Sequence, residues 1–431
     1  MTVNRALKGL AAIYLVGLIV AVMAYKAAFI GLMFSNPFFG AYSVCVATYI
    51  LSRFILSLFY RSMPDAGIEP RAAIVMPSFN EGEAIAASLR SLLELDYPRE
   101  KLELIAVNDG STDCTLQEMQ RVARESHGRV RVIDFPENRG KRAAMAAGIR
   151  ASEAEVIVFV DSDSVVEADA LRRLVQPLAD ERVGAVCGHA DVLNLRDSWL
   201  TRMQAVRYFV AFRVVKAAES VFNAVTCCSG CFSAYRREAI LPRMDWWENQ
   251  RFLGVESTFG DDRSLTNCVL RDWRVVYEKR AVSHTIVPNT FRAFVTQQTR
   301  WKRSWTRESL LVARFIWRKH PAAAFFTYLS IALPLIAPAA ALHAIVWGPI
   351  AHGGTLPLVY IAGIYSLAMV YSLYYVIFQE EYSLVWVYGV LFVFFYLGIM
   401  LWQTYYAIAT CRTASWGTRP ATAGMGTGAG R

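Results

Sequence analysis

No G-x-x-x-x-G-K-[ST] segment occurs in the chain, and no G-x-G-x-x-G follows an apolar run. The first absence excludes a P-loop ATPase, and the second leaves no dinucleotide-binding fingerprint. Cysteine is sparse and unframed. The eight cysteines (45, 114, 187, 227, 228, 231, 268 and 411) show no disulfide spacing, and Cys228-Ser229-Gly230-Cys231 is a single C-x-x-C without a second pair. That argues against zinc and for thiols kept reduced in a cytosolic setting. A cleavable signal pattern is also missing, so the first apolar run is expected to be an anchor.

What is present is unevenly distributed. The 431 residues are 55% hydrophobic, and the apolar ones concentrate at both ends around a central block of ordinary soluble composition. This predicts a cytosol-facing domain held between membrane segments. The net charge is +9, with arginine-rich stretches at 196–216 and 292–319. By charge alone nucleic acid would fit these patches. Membrane phosphates and an anionic nucleotide substrate fit better, because the apolar segments lie so close. No nucleic-acid partner is expected, and no obligatory protein partner is evident.

Leu10 to Tyr25 and Pro37 to Tyr60 are two apolar runs, with Arg5 and Lys8 before the pair and Arg61 after it. The positive-inside rule puts both ends in the cytosol and the Ser35-Asn36-Pro37 turn outside. Residues 1–62 thus form a transmembrane hairpin, 63–290 a cytosolic domain, 291–320 interfacial helices, 321–411 a second membrane region and 412–431 a cytosolic tail. The second region holds three runs: Ala322 to Ile350, Leu356 to Phe378 and Leu384 to Ala409. Pro334 and Pro338 interrupt the first, which is expected to be re-entrant or broken. The other two are expected to span, leaving Glu380 and Glu381 outside and Arg412, Trp416 and Arg419 inside. There Trp416 is either a gate over the nucleotide or an interfacial anchor.

The central block alternates apolar runs with helical patterns. Ala72 to Met76 is a short strand stopped by Pro77, and Pro77-Ser78-Phe79-Asn80-Glu81 feeds a helix. Leu102 to Val107 is a strand running into Asn108-Asp109-Gly110-Ser111. Val130 to Asp134 precedes Asn138-Arg139-Gly140-Lys141-Arg142, and Val156 to Val160 ends in Asp161-Ser162-Asp163. A mostly parallel βαβ sheet is predicted, with every polar loop at a strand's C-terminal end, where such sheets place ligands. Gly184 to His189 is a further strand, with His189 a structural hydrogen-bonder. Leu195 to Ser220 is an amphipathic helix whose basic face (Arg202, Arg207, Arg213, Lys216) suits the membrane surface.

Each loop carries a chemical reading beside a plainer one. Asp161 and Asp163 suit a divalent metal held against a diphosphate, or a polar strand end capping a helix. Asp109 suits a uracil or ribose, or a turn. Gly140 admits backbone to an anion and Lys141 opens a helix whose N-terminus favours phosphate; a solvated basic turn is the alternative. Small residues at 228–230 permit close approach by a sugar, or simply turn a buried strand. Asp261 and Asp262 either cap a helix or include a general base toward a sugar hydroxyl. In Gln297-Gln298-Thr299-Arg300-Trp301 the tryptophan suits stacking on a sugar and Arg300 a leaving diphosphate. An interfacial helix is the other reading, and the two are compatible.

Taken in order, PSFNE, NDGSTD, ENRGKR, DSD, CCSG, GDDR and QQTRW resemble the processive family 2 membrane glycosyltransferases, over about residues 72–320. That family includes hyaluronan, chitin and cellulose synthases. NQRFLG (249–254), GDDRSLTN (260–267), Arg307-Glu308-Ser309 and WGTR (416–419) resemble its bacterial hyaluronan synthase branch. The resemblance implies a GT-A-like α/β catalytic domain inserted between transmembrane helices, in a multi-pass protein of the plasma (inner) membrane. It implies inverting transfer from UDP-GlcNAc and UDP-GlcA to a growing polysaccharide that leaves across the membrane, with Mg2+ or Mn2+ as cofactor. The alternatives are a chitin-type synthase using UDP-GlcNAc alone, a single-sugar transferase to a polyprenyl phosphate, and, outside enzymes, a transporter or scaffold. It further implies that Pro77, Asn80, Glu81, Asp109, Lys141, Arg142, Asp161, Asp163, Gln297, Arg300 and Trp416 serve the nucleotide. Asp161 and Asp163 would also bind metal. Cys228, Ser229, Gly230 and Trp301 would serve the acceptor, and Asp262 would act as base, with Asp261, Arg300 and Trp301 in catalysis. Two positions depart from the family's pattern. Cys231 stands where proline is usual, and Asn108 replaces a first aspartate.

Overall fold

The computed structural model describes residues 2–28, 37–352, 356–379 and 383–413. Its centre is an eight-stranded sheet in the order β3-β2-β1-β4-β7-β6-β10-β5. Here β1 is Ala72–Ser78, β2 Leu102–Asn108, β3 Val130–Asp134, β4 Val156–Phe159 and β5 Ser164–Val166. β6 is Val183–Val192, β7 Ser233–Arg236 and β10 Arg274–Thr285, while β8 (Arg251–Phe252) and β9 (Val255–Glu256) pair separately as a small hairpin. Side chains alternate across this sheet as a two-residue period requires. Ala73, Val75, Ile157 and Phe159 enter one apolar cluster, and Ala72, Ile74, Met76, Val156 and Val158 enter the other. Burial on both faces explains why β1 and β4 read as continuous apolar runs.

The sheet is mixed rather than mostly parallel. β1, β2, β3 and β4 run parallel, but β7 is antiparallel to both β4 and β6, and β5 is antiparallel to β10. β7 has only four residues, too few for periodicity to show in the sequence. β1 also runs on through Pro77. The Val75 carbonyl faces β4 and accepts from Val160 N at 3.3 Å. Pro77, two residues on, faces the same way, where β4 has already ended at Phe159. Its missing N–H therefore costs no ladder bond.

Helices α3 (Ala84–Leu93), α4 (Thr115–Glu125), α5 (Lys141–Arg150) and α6 (Ala170–Val175) flank the sheet, after α1 (Thr2–Ala28) and α2 (Pro37–Phe59). The expected amphipathic helix begins at Trp199, where Ser198 and Thr201 form a reciprocal capping box. It comprises α7 (Trp199–Phe209), a seven-residue π-turn (Val210–Lys216) and a last turn, Ala217–Ser220. Its basic face does not lie open to a membrane. Lys216 is buried, Arg207 hydrogen-bonds Gln298, and Arg202 donates to Tyr388 Oη at 2.9 Å. Then follow α8 (Asp261–Leu270), α9 (Phe291–Ala313), α10 (Pro321–Leu342), α11 (Leu356–Phe378), α12 (Trp386–Phe395) and α13 (Gln403–Ala409).

Among the described residues four helices are long and apolar enough to cross a membrane: Gly40–Phe59, Pro321–Ala351, Tyr360–Phe378 and Trp386–Ala409. In α1 the apolar part, Lys8–Ala21, is shorter. The run expected to be broken is helical through both prolines, and after a π-turn at His343–Trp347 it reaches His352. Pro334 and Pro338 withdraw the N–H groups that would reach the Ser330 and Pro334 carbonyls, and neighbouring helices brace the same stretch: Tyr405 Oη donates to the Leu335 carbonyl at 2.8 Å and Tyr42 Oη to that of Leu333 at 3.3 Å. Ser35, Asn36, Glu380, Glu381, Trp416 and Arg419 lie outside the described residues.

Candidate active site

The C-terminal ends of β1, β2 and β4 converge on one edge of the sheet. The Asp109 carboxylate, just past β2, accepts from the backbone N–H groups of Arg139 at 2.7 Å and Gly140 at 3.1 Å. Gly110 allows this approach, since a Cβ there would lie 2.3 Å from the Glu137 carbonyl carbon. Asp109 thus fixes the turn that presents Lys141. Asn108 donates to Asp134 at 2.7 Å, where an aspartate would bring a second carboxylate to the same contact. Asn80, in a left-handed conformation, accepts from Thr112 N at 2.8 Å, and Glu81 accepts from Ser162 Oγ at 2.9 Å. Pro77 lies within β1, whose far end aims this loop.

Beyond β4 the acidic pair meets its partners. Lys141 Nζ makes an ion pair with Asp161. Burial disfavours the ammonium, but the carboxylates of Asp161, Asp261 and Asp262 together outweigh it and hold the lysine above its ordinary pKa. Burial, then Asp161 and Glu81, push Asp163 up to about 7. Thr285 Oγ1 donates to it at 3.2 Å. Among the described residues no cluster of three or more His, Cys, Asp or Glu could hold a metal ion. Two carboxylates one residue apart would leave the other ligand positions to a nucleotide's phosphates.

β7 brings the acceptor segment to this pair. The register Phe159↔Ser233 sets Gly230 beside Asp161, so closely that a Cβ on it would lie 2.8 Å from Asp161 Oδ1. Ser229 accepts from the buried Lys216 at 2.9 Å. Cys228 is turned away: its side chain is fully buried in the core and its N–H donates to Thr266 Oγ1 at 2.9 Å. Cys227, not singled out in the sequence, reaches the site instead. Its Sγ lies 3.7 Å from Asp262 Oδ2, and burial with that carboxylate pushes the thiol up to about 12.

Asp262 stands in the first turn of α8, after Gly260 at φ 84°. Its neighbour Asp261 is 3% exposed and pairs with Arg142 at 2.8 Å. Arg142 also donates to the Trp247 carbonyl and to Gln250, so both residues brace the site from inside instead of meeting substrate. Gln250 continues to Glu308 at 2.9 Å, and Glu308 accepts from Asn267 at 3.0 Å. The NQRFLG, GDDRSLTN and RES motifs are therefore one buried polar network holding α8 in place.

α9 closes the site. Gln297 accepts from Gln298, which in turn accepts from Arg207 at 2.6 Å. Trp301 is 39% exposed, with its ring 6.5 Å from Tyr208 and 5.9 Å from the Arg207 guanidinium. Burial pushes Arg207 down to about 10. Arg300 lies on the same helix, partly buried. Ser304, one turn further, packs on Gly260 and so joins α9 to the start of α8.

Residues 73–241 match the glycosyl transferase family 2 profile. The chain is 31% identical over 391 residues to the hyaluronan synthase of Streptococcus pyogenes, covering 90% of this chain and 92% of that one. The chain belongs to the processive family 2 membrane glycosyltransferases. It is 37% identical over 258 residues to an N-acetylglucosaminyltransferase of Rhizobium meliloti, 59% of this chain and 60% of that one. A mannosyltransferase from Pyrobaculum calidifontis, solved with GDP-Man and Mn2+, superposes with a TM-score of 0.59 at 23% identity, covering 80% of this chain and 100% of that one. That likeness concerns the fold, which is GT-A-like.

Four residues of this glycosyltransferase's site went unremarked or were misplaced in the sequence: Cys227, Lys216, Arg207 and Tyr208. Lys216 and Arg207 were visible as a basic helical face. A face of that kind looks the same whether it meets lipid or another helix.

Proposed function

We propose that this glycosyltransferase polymerises UDP-GlcNAc and UDP-GlcA into hyaluronan at the cytosolic face of the plasma membrane and passes the polymer across it. The observation that carries the reading is the buried network from Arg142 through Gln250 to Glu308, because motifs of the hyaluronan branch build it and it seats the helix of Asp262. A basic surround of Lys141, Arg207 and Lys216 suits the charge of UDP and of a glucuronate carboxylate.

Asp262 would take the proton of the acceptor hydroxyl as that oxygen attacks the anomeric carbon. The new C–O bond forms on the face opposite the departing UDP oxygen, which inverts the centre. Lys141 would exchange Asp161 for a phosphate oxygen as the nucleotide binds, and Arg300 would face the same diphosphate. Trp301 and Tyr208 offer faces for a sugar ring to stack on, and Gly230 keeps the acceptor path open beside Asp161. The crowding that raises Asp163 is the donor chemistry a hard divalent cation relieves, so Asp161 and Asp163 fit Mg2+ or Mn2+. Bound there, such an ion would neutralise the diphosphate charge that grows as UDP leaves.

Purified protein given UDP-GlcNAc and UDP-GlcA separately and together tests this. Polymer only from the pair, digestible by hyaluronidase, is the expected result. High-molecular-weight polymer from UDP-GlcNAc alone would instead establish the chitin-type reading, which the likeness to the Rhizobium relative favours.

A further inference from the structure

A cleft of about 430 Å³ lies away from the catalytic edge, between α8 and the C-terminal end of α9. Arg243, Arg271, Arg314 and Arg318 line it, with Phe315 on its wall and Trp246 at its rim. Among the described residues the one ion pair made by these four arginines is Arg243 with Asp272, at 2.7 Å. Arg271, Arg314 and Arg318 are exposed and, among the described residues, make no ion pair.

We propose that this cleft binds the phosphate of an anionic phospholipid headgroup. Guanidinium groups match phosphate oxygens in paired hydrogen bonds, and Arg271, Arg314 and Arg318, the last also lying over the Trp317 ring at 5.1 Å, surround one hollow with no carboxylate paired to them among the described residues. Its position selects the source of the anion. Arg318 precedes by three residues Pro321, where a helix long and apolar enough to cross a membrane begins. Trp317 and Phe325, on either side of that point, are 61% and 58% exposed. The cleft therefore opens at the foot of the membrane bundle, where basic side chains meet acidic headgroups. Phe315 and Trp246 supply the apolar surface on which the glycerol end of a lipid rests, and which a free phosphate would not use. Asn267 and Cys268 of α8 also line the cleft, and Asn267 holds Glu308. A headgroup bound there adds its binding free energy to the folded arrangement of α8. The proposal does not depend on which sugars are polymerised.

The test uses the full chain in nanodiscs of phosphatidylcholine, with and without phosphatidylglycerol. Lipid retained after extraction is read by native mass spectrometry, and stability by the melting temperature. Phosphatidylglycerol should be retained in preference to phosphatidylcholine and should raise the Tm. The triple variant R271Q/R314Q/R318Q should retain it about tenfold less or weaker still, a change that loss of one charge-assisted hydrogen bond can cause. The charge-matched variant R99Q/R124Q/R131Q, at the β3 edge, should behave as wild type. UDP binding by both variants reports that the fold survives. Equal retention by wild type and the triple variant overturns the site. Displacement of phosphatidylglycerol by inorganic phosphate at matched concentration assigns the cleft to soluble phosphate and overturns the lipid.

Discussion

Replacing Gly260 with alanine places a methyl carbon 1.8 Å from Ser304 Oγ and 2.7 Å from Ser304 Cβ. Two separate costs follow. A side chain held at φ 84° pays about 1–2 kcal/mol for the left-handed conformation. Overpacking against a buried helix adds about 1–3 kcal/mol. Relief comes only if the start of α8 and the middle of α9 move apart. Asp262 lies two residues beyond Gly260, and Trp301 lies three residues before Ser304, so both move with the joint. A shift of about 1 Å in positioned groups costs on the order of 10²-fold in rate. Gly260→Ala should therefore lower the Tm and reduce sugar transfer about 100-fold by that reasoning, while UDP binding, which rests on Lys141 and the acidic pair, changes little. Ser304→Gly removes both clashing atoms and costs the helix roughly 0.5–1 kcal/mol by itself. In the double variant the backbone strain stays and the clash disappears, so most of the transfer rate should return. The assay is a double-mutant cycle on Tm and on transfer rate, with UDP affinity measured by calorimetry. Strictly additive losses would show that the joint between α8 and α9 does not transmit position to the site.

Asp262→Asn should cut transfer by about 10²–10⁴-fold, the usual worth of a general base, and leave UDP affinity nearly unchanged. Asp161→Asn or Asp163→Asn should weaken metal-dependent UDP binding itself; equal loss of UDP affinity in Asp262→Asn would sink this division of labour. Gly230→Ala pushes a methyl group into the Asp161 carboxylate, so nucleotide affinity should fall along with transfer, whereas a loss confined to acceptor binding would contradict the contact. Burial raises the Glu308 pKa against the opposing pull of its Gln250 and Asn267 donors and of Arg142 and Arg307. The folded state then holds this proton where the unfolded chain has released it, so stability from Glu308 falls as pH rises from about 4.3 upward. Glu308→Gln should flatten that slope in a Tm-versus-pH series, and an unchanged slope would place the titration elsewhere.

The polar loops were legible because strands with both faces buried announce themselves, and each one here delivers a loop to the same edge. β1, β4 and most of β2 are of this kind while β3 is a partly exposed edge strand, and Asp161, Lys141 and Glu81 fall together as their order in the chain suggests. β7 was not legible. Its four residues carry no pattern, yet its reversed direction is what sets Gly230 against Asp161. Asp261 and Arg142 illustrate a different limit. One of two adjacent aspartates caps the inside of the protein and the other faces the site, and residue type does not say which. The prolines of α10 misled for a physical reason. Their cost is local, and the tyrosines that brace the helix around them, Tyr42 and Tyr405, lie on helices distant in sequence.

The last helix of the bundle is fastened to the catalytic region at the residues next to Trp301. Lys302 reaches Thr404 at 2.7 Å, Arg303 reaches Thr410 at 2.9 Å, and Gln403 donates to the Val295 carbonyl at 3.2 Å. These bonds act as rivets along one seam, so α13 cannot slide or tilt while α9 stays still. Any force that spreads the bundle sideways is delivered as torque on the helix carrying Trp301.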